Sequence, residues 1–126
     1  MKLELKIKNW YPLEFDQPIR RFTVAEYHQM LDVGILSEDD RVELIEGIIT
    51  QMNPKKTQHS VVTGQITEKF YRLVPEGEAL LRVQEPIILS DDTEPEPDLA
   101  VVRVREDGYL EAHPSPDDVL LLYRGL

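Results

Sequence analysis

Apolar and polar positions along the chain follow two different periods, which predicts a mixture of helices and strands. Residues 20–36 keep helical spacing, with Thr23 and Glu26 placed as a capping box and Gly34 placed where a left-handed residue ends a helix. The apolar stripe of this helix consists of Val24, Tyr27, Met30 and Leu31.

A second helical pattern covers residues 58–74 and stops at Pro75 and Gly77. Its apolar stripe consists of Val62, Ile66, Phe70 and Leu73. Short β-prone runs surround the two helices: a hairpin within residues 41–52, then single strands within residues 79–89, 98–104 and 118–123. The order of elements predicts an α/β or α+β fold, a mixed sheet with helices packed on it.

Length and composition limit the class of protein. The chain has 126 residues, which suits one domain, and it has no cysteine, which excludes disulfides, thiolate metal sites and a cysteine nucleophile. No window is apolar enough for a membrane span, and the first ten residues alternate apolar and charged side chains instead of forming a signal peptide. We therefore expect a cytoplasmic protein with no membrane partner.

Charge is distributed unevenly around a formal net charge of −10. Residues 1–75 carry 11 acids and 10 bases, whereas residues 76–126 carry 13 acids and 4 bases. A surface this acidic repels phosphate groups. We therefore expect that the chain does not hold nucleic acid by bulk electrostatics. A local site in which a divalent cation reverses the field is still compatible with this charge.

Asp98 is the first candidate for chemistry, because it stands where an acidic, proline-rich stretch meets an apolar strand. It shares a strand face with Ala100 and Val102, and a carboxylate near a dry core needs a donor, a cation or a metal. Alternatively, Asp98 lies outside the sheet and bonds a backbone N–H in the turn made by Pro95 and Pro97.

Glu43 is the second candidate, since it lies between Val42 and Leu44 in a predicted strand. The alternative is that Glu43 pairs with Arg41 or stays in solvent. His59 opens the second helix, where a histidine is usually a surface residue, and the histidines have no spacing typical of a zinc site. Two carboxylates on separate strands could converge on Mg²⁺, which prefers oxygen ligands and often takes one or two carboxylates.

An ordered set of motifs resembles a known family. The stretches are VELIEG, a histidine opening a helix, RVQEPIIL, EPEPDLAVVR and HPSPDDVLL. In this order and spacing, over roughly residues 20–122, they resemble a large bacterial family of restriction endonucleases of the PD-(D/E)XK nuclease superfamily.

The resemblance implies a restriction-endonuclease-like α/β core, Mg²⁺-dependent cleavage of a DNA phosphodiester, and usually a homodimer. Pro97 and Asp98 would be the PD of the motif, with Asp98 a catalytic metal ligand. Glu43 matches the acidic residue of the early strand and would be the second catalytic metal ligand. His59 matches a histidine often found there, with no assigned role.

The chain departs from the superfamily pattern after Asp98, where a further acid and a lysine are expected. Arg124 stands where the acid would be, and Lys69 is the last lysine of the sequence. We therefore expect an N-terminal extension over residues 1–19, then a C-terminally truncated nuclease domain over residues 20–126 that is inactive as this chain. The alternative is a non-catalytic interaction module that binds a full-length homologue or another protein through an open sheet edge.

Overall fold

The structure is a computed structural model that describes residues 18–52, 54 and 56–125. The predicted extension of residues 1–19 therefore lies outside the described residues, apart from Pro18 and Ile19. The elements in chain order are α1 (Val24–Asp32), β1 (Val42–Ile45), β2 (Ile48–Gln51), α2 (Thr57–Leu73), β3 (Ala79–Val83), β4 (Leu99–Arg103), a 3₁₀ turn (Pro116–Asp118) and β5 (Val119–Tyr123).

The strands form two antiparallel sheets. β1 and β2 make the predicted hairpin, and β3, β4 and β5 make a three-stranded sheet with β4 in the centre. A backbone bridge between Leu44 and Glu94 links the hairpin to the segment that leads into β4. The two helices and two small sheets of the described residues confirm the predicted α/β class.

Helix α1 begins as its sequence predicts. The Thr23 hydroxyl accepts the Glu26 backbone N–H at 3.1 Å, and the Glu26 carboxylate accepts the Thr23 backbone N–H at 3.0 Å. Gly34 takes the left-handed φ of 81° that ends the helix. Val24 and Tyr27 are buried, and with Leu44 they form one of two core clusters.

The packed face of α2 differs from the predicted stripe. Val62 and Leu73 are 42% and 75% exposed, and the buried residue of this helix is Thr63. The neighbouring partly buried positions, Ile66, Thr67 and Phe70, show that the covered face is turned toward Thr63. The predicted stripe left out Thr63 because threonine counts as polar in a hydrophobic pattern. Its side chain is nevertheless small enough to pack in the buried face.

Strand β4 is the most buried strand of the described residues, since Leu99, Ala100, Val101 and Val102 are all buried. Both of its faces are therefore covered, although the residue pattern predicts one face to be more apolar than the other. The second core cluster joins Ala100 and Val102 to Ile87 and Tyr109. Asp98 directly precedes this strand, so its position is fixed by the best-packed part of the fold.

Candidate functional site

Asp98 is buried at 8% exposure and has two partners from distant parts of the chain. Its Oδ1 lies 3.2 Å from Nε2 of His59, and its Oδ2 accepts the backbone N–H of Gly125 at 2.7 Å. The need for a donor, inferred from the sequence, is thus met across the fold. The Asp98 side chain thus bonds to His59 and Gly125 and not to a backbone N–H of the Pro95–Pro97 turn, which was the alternative.

His59 lies in the first turn of α2, which aims its ring at the beginning of β4. The ring also packs on the backbone of Gly125: a Cβ at that position would lie 2.6 Å from Cε1 and 2.9 Å from Nδ1 of His59. Only glycine allows this approach without a shift of the ring or of the backbone. His59 is therefore a partner of the candidate carboxylate and not a surface residue.

Glu43 on β1 is also buried, at 7% exposure. Its Oε1 accepts the Glu96 backbone N–H at 3.0 Å and Nη1–H of Arg124 at 3.0 Å, and its Oε2 accepts Nη2–H of Arg124. The two parallel bonds from one guanidinium make a bidentate ion pair, which is the strong geometry for arginine and a carboxylate. The alternatives of a pair with Arg41 or a solvated side chain are not observed.

Arg124 and Gly125 bring the two candidate acids into one site, because consecutive residues after β5 contact Glu43 and Asp98. The bond from Glu43 is the main reason that the pKa of Arg124 is raised above its usual value, and the charges of Asp98 and Glu96 add to it. The sequence placed Arg124 where an acid was expected. The structure gives it the opposite role, that of a fixed cation between acids.

The carboxylates suit Mg²⁺ by chemistry, since Mg²⁺ prefers carboxylate oxygens and needs only one or two of them from the protein. Their oxygens are nevertheless engaged by donors of the chain itself. Within residues 18–52, 54 and 56–125, no group of three or more histidine or acidic side chains is arranged to hold a metal ion. A metal ion at Glu43 would therefore compete with Arg124 for the carboxylate oxygens.

A second group of titratable side chains lies beside α1, separate in sequence from the first site. Nε2 of His28 lies 2.6 Å from Oε1 of the buried Glu94, and Nδ1 of His113 lies 3.3 Å from Arg82. An open groove of about 440 Å³ has His28, His113 and Tyr109 in its wall. The first contact ties α1 to the segment before β4, and the second ties β3 to the loop before β5, so the buried Glu94 is paired with a side chain of the protein itself.

The comparison with family models assigns the chain. A model described as "Putative restriction endonuclease", named Uma2, matches residues 24–122. The chain belongs to the Uma2 family. The resemblance found in the sequence motifs is thereby confirmed, and the match covers both helices and all five described strands apart from the last residue of β5, Tyr123.

Two further comparisons yielded nothing: the curated proteins and the solved structures each contain no match to this Uma2 chain. The family therefore rests on the sequence model, and the site rests on the contacts above. Neither helix of the described residues has the length and apolar character needed to cross a bilayer.

Proposed function

We propose that this chain carries the acid pair of a Mg²⁺-dependent DNA endonuclease domain of the PD-(D/E)XK type, with Asp98 and Glu43 as the metal ligands. One observation supports this proposal. Glu43 on β1 and Asp98 just before β4 are both buried, and both contact the adjacent residues that follow β5. A Mg²⁺ ion at such carboxylates polarises a phosphodiester and lowers the pKa of an attacking water.

The residues of this chain determine whether the domain cleaves DNA without a partner chain. Glu43 and Asp98 are buried acids held in place by β1 and β4, and His59 fixes one oxygen of Asp98. Arg124 neutralises Glu43, and the sequence after Lys69 contains no lysine to stabilise charge in a transition state. We infer a cleavage site that is incomplete in this chain, which gives no measurable cleavage alone.

The test is to supply the acid that the superfamily pattern places after β5. Arg124→Glu adds a third carboxylate beside Asp98 and Glu43, and we expect it to bind Mn²⁺ and to nick supercoiled plasmid DNA slowly. Asp98→Ala in the same background should abolish both. Arg72→Glu makes the same change of charge on the exposed face of α2, where Arg72 pairs with Glu68, and should do neither.

Two results would remove the nuclease proposal. One is an Arg124→Glu variant that is folded by circular dichroism and binds no Mn²⁺ in calorimetry. The other is plasmid cleavage that Asp98→Ala leaves unchanged, since the activity would then come from elsewhere.

A second candidate function, a non-catalytic interaction module, is favoured by the outer edge of β5. This strand pairs with β4 on one side only within the described part of the chain. Leu120, Leu121 and Leu122 are 62%, 40% and 44% exposed, and the strand carries no charge or proline that would protect its edge. The partner would be a second chain of the same fold, bound by strand pairing.

Light scattering after gel filtration distinguishes this candidate. Self-association that Leu121→Lys abolishes would support it, with Leu110→Lys as a control because Leu110 is 85% exposed outside any strand. A monomer at high concentration would remove the homotypic module from consideration.

A further inference from the structure

Arg124 and Gly125 act on both acids of the site through one short piece of backbone. The Arg124 guanidinium binds both oxygens of Glu43, and the Gly125 amide binds Oδ2 of Asp98. Because the two residues are adjacent, displacement of one contact pulls on the other. We call Arg124 and Gly125 the closing segment.

The closing segment is fitted to the site. Gly125 lies so close to the His59 ring that an added Cβ would meet Cε1 at 2.6 Å. His59 in turn holds the other oxygen of Asp98 at 3.2 Å. The segment, the imidazole and the carboxylate are therefore packed as one unit, and the glycine is what allows the contact.

A guanidinium and a divalent cation need the same lone pairs. The bidentate bond of Arg124 uses both oxygens of Glu43 and supplies the positive charge that a metal ion would bring there. The Gly125 N–H bonds one oxygen of Asp98 and so anchors the same segment at the second acid. The guanidinium of Arg124 and a divalent cation therefore compete at Glu43, because both bring positive charge to the same carboxylate.

We propose that the closing segment is a built-in competitor for the divalent cation, so that the site exists in a closed form held by Arg124 and an open form that binds metal. The inference rests on the proposed metal site at Asp98 and Glu43. It adds a regulatory step: anything that draws Arg124 away, such as a phosphate group, favours metal binding at Glu43.

The first experiment is Mn²⁺ calorimetry on the full chain and on Arg124→Gln, which removes the charge without adding a ligand. Losing a charge-assisted bidentate competitor should tighten Mn²⁺ binding by about tenfold or more. Arg72→Gln is the matched control, since it makes the same change of charge at an exposed pair with Glu68 and should leave the affinity unchanged. Asp98→Asn in the Arg124→Gln background should remove the gain.

The outcomes separate the two proposals. Equal Mn²⁺ affinity in the wild-type chain and in Arg124→Gln, lost in both with Asp98→Asn, overturns the competitor and leaves the metal site standing. If Arg124→Gln, Arg124→Glu and the wild-type chain all fail to bind Mn²⁺, the metal site fails and the competitor with it.

A second variant keeps the inference testable if Arg124→Gln does not fold. Gly125→Ala retains the arginine charge and forces the segment or the His59 ring to move, so it should also tighten Mn²⁺ binding. Nuclear magnetic resonance gives an independent reading on the wild-type chain: saturating Mg²⁺ should shift the Gly125 amide and speed its hydrogen exchange. Metal binding through Asp98 with an unmoved Gly125 amide would overturn the inference.

Discussion

His59 and Asp98 are joined by a 3.2 Å contact between side chains that stand 39 positions apart in the sequence. The contact fixes the N-terminal turn of α2 against the start of the central strand β4. The Asp98 carboxylate has one imidazole partner and one amide partner. Removing either partner leaves a buried carboxylate with an incomplete set of hydrogen bonds.

His59→Ala should lower the free energy of unfolding by roughly 1–2 kcal/mol, because a buried carboxylate loses one of its partners. His59→Gln keeps an amide donor and should cost less. Urea denaturation at neutral pH measures both variants. Equal losses in the two would mean that ring packing on Gly125, and not the bond to Asp98, is what the histidine contributes.

Gly47→Ala should destabilise the hairpin for two reasons. Gly47 has φ of 79°, and a Cβ there would lie 2.6 Å from Cβ of Arg21 and 3.0 Å from the carbonyl oxygen of Phe22. We expect a loss of roughly 2–3 kcal/mol by denaturation, from the left-handed backbone and the clash together. Gly108→Ala, at φ of 64° with open space around it, has only the backbone cost and should lose about 1 kcal/mol. Similar losses in the two variants would contradict the importance of the close approach to Arg21.

Asp118 should make stability depend on acid. The Ser115 backbone N–H at 3.0 Å and the Arg103 ion pair lower the pKa of this buried carboxyl below its ordinary value of about 3.9. A lowered folded pKa adds stability that is present above about pH 4 and is lost as pH falls through the folded value. Urea denaturation at neutral pH and near pH 3 should show Asp118→Asn less stable than wild type at neutral pH, with the gap narrowing in acid. The exposed neighbour Asp117 is the control, and a gap of constant size would refute this role of Asp118.

His113 should resist protonation. Burial lowers its pKa, with the nearby charges of Arg82 and His28 acting in the same direction and those of Glu94 and Glu85 opposing it. Its Cε1–H resonance should titrate below the ordinary value of about 6.5. Because the unfolded chain takes up the proton first, stability from this group is present above about pH 6.5 and is lost as pH falls toward the folded value. His113→Gln should flatten that part of the profile, and a midpoint above 6.5 would show that Glu94 outweighs burial.

The local elements could be predicted from sequence because their signals are local. The capping box of Thr23 and Glu26, the turn at Gly47 and the left-handed Gly34 all form as their residue types require. The strand predicted within residues 79–89 is shorter in the structure and ends at Val83, since Gln84 takes a positive φ of 55° and Pro86 follows.

The candidate acids could also be predicted, but their partners could not. Glu43 and Asp98 were marked as acids beside apolar runs, which is a pattern in neighbouring residues. Arg124 and Gly125 reach them only through the packing of β5 on β4, which no periodicity reveals. The available signal was indirect: Arg124 is one of only 4 bases in residues 76–126, and it follows directly on a predicted strand.

The ion pair of Glu43 and Arg124 spans 81 positions of sequence, from the first hairpin to the residue after β5. Bringing together residues that far apart costs loop-closure entropy. On a ribosome, synthesis proceeds from the amino end, so both acids emerge well before the arginine does. For that interval Glu43 in the nascent chain lacks its guanidinium partner, and Asp98 lacks the Gly125 amide.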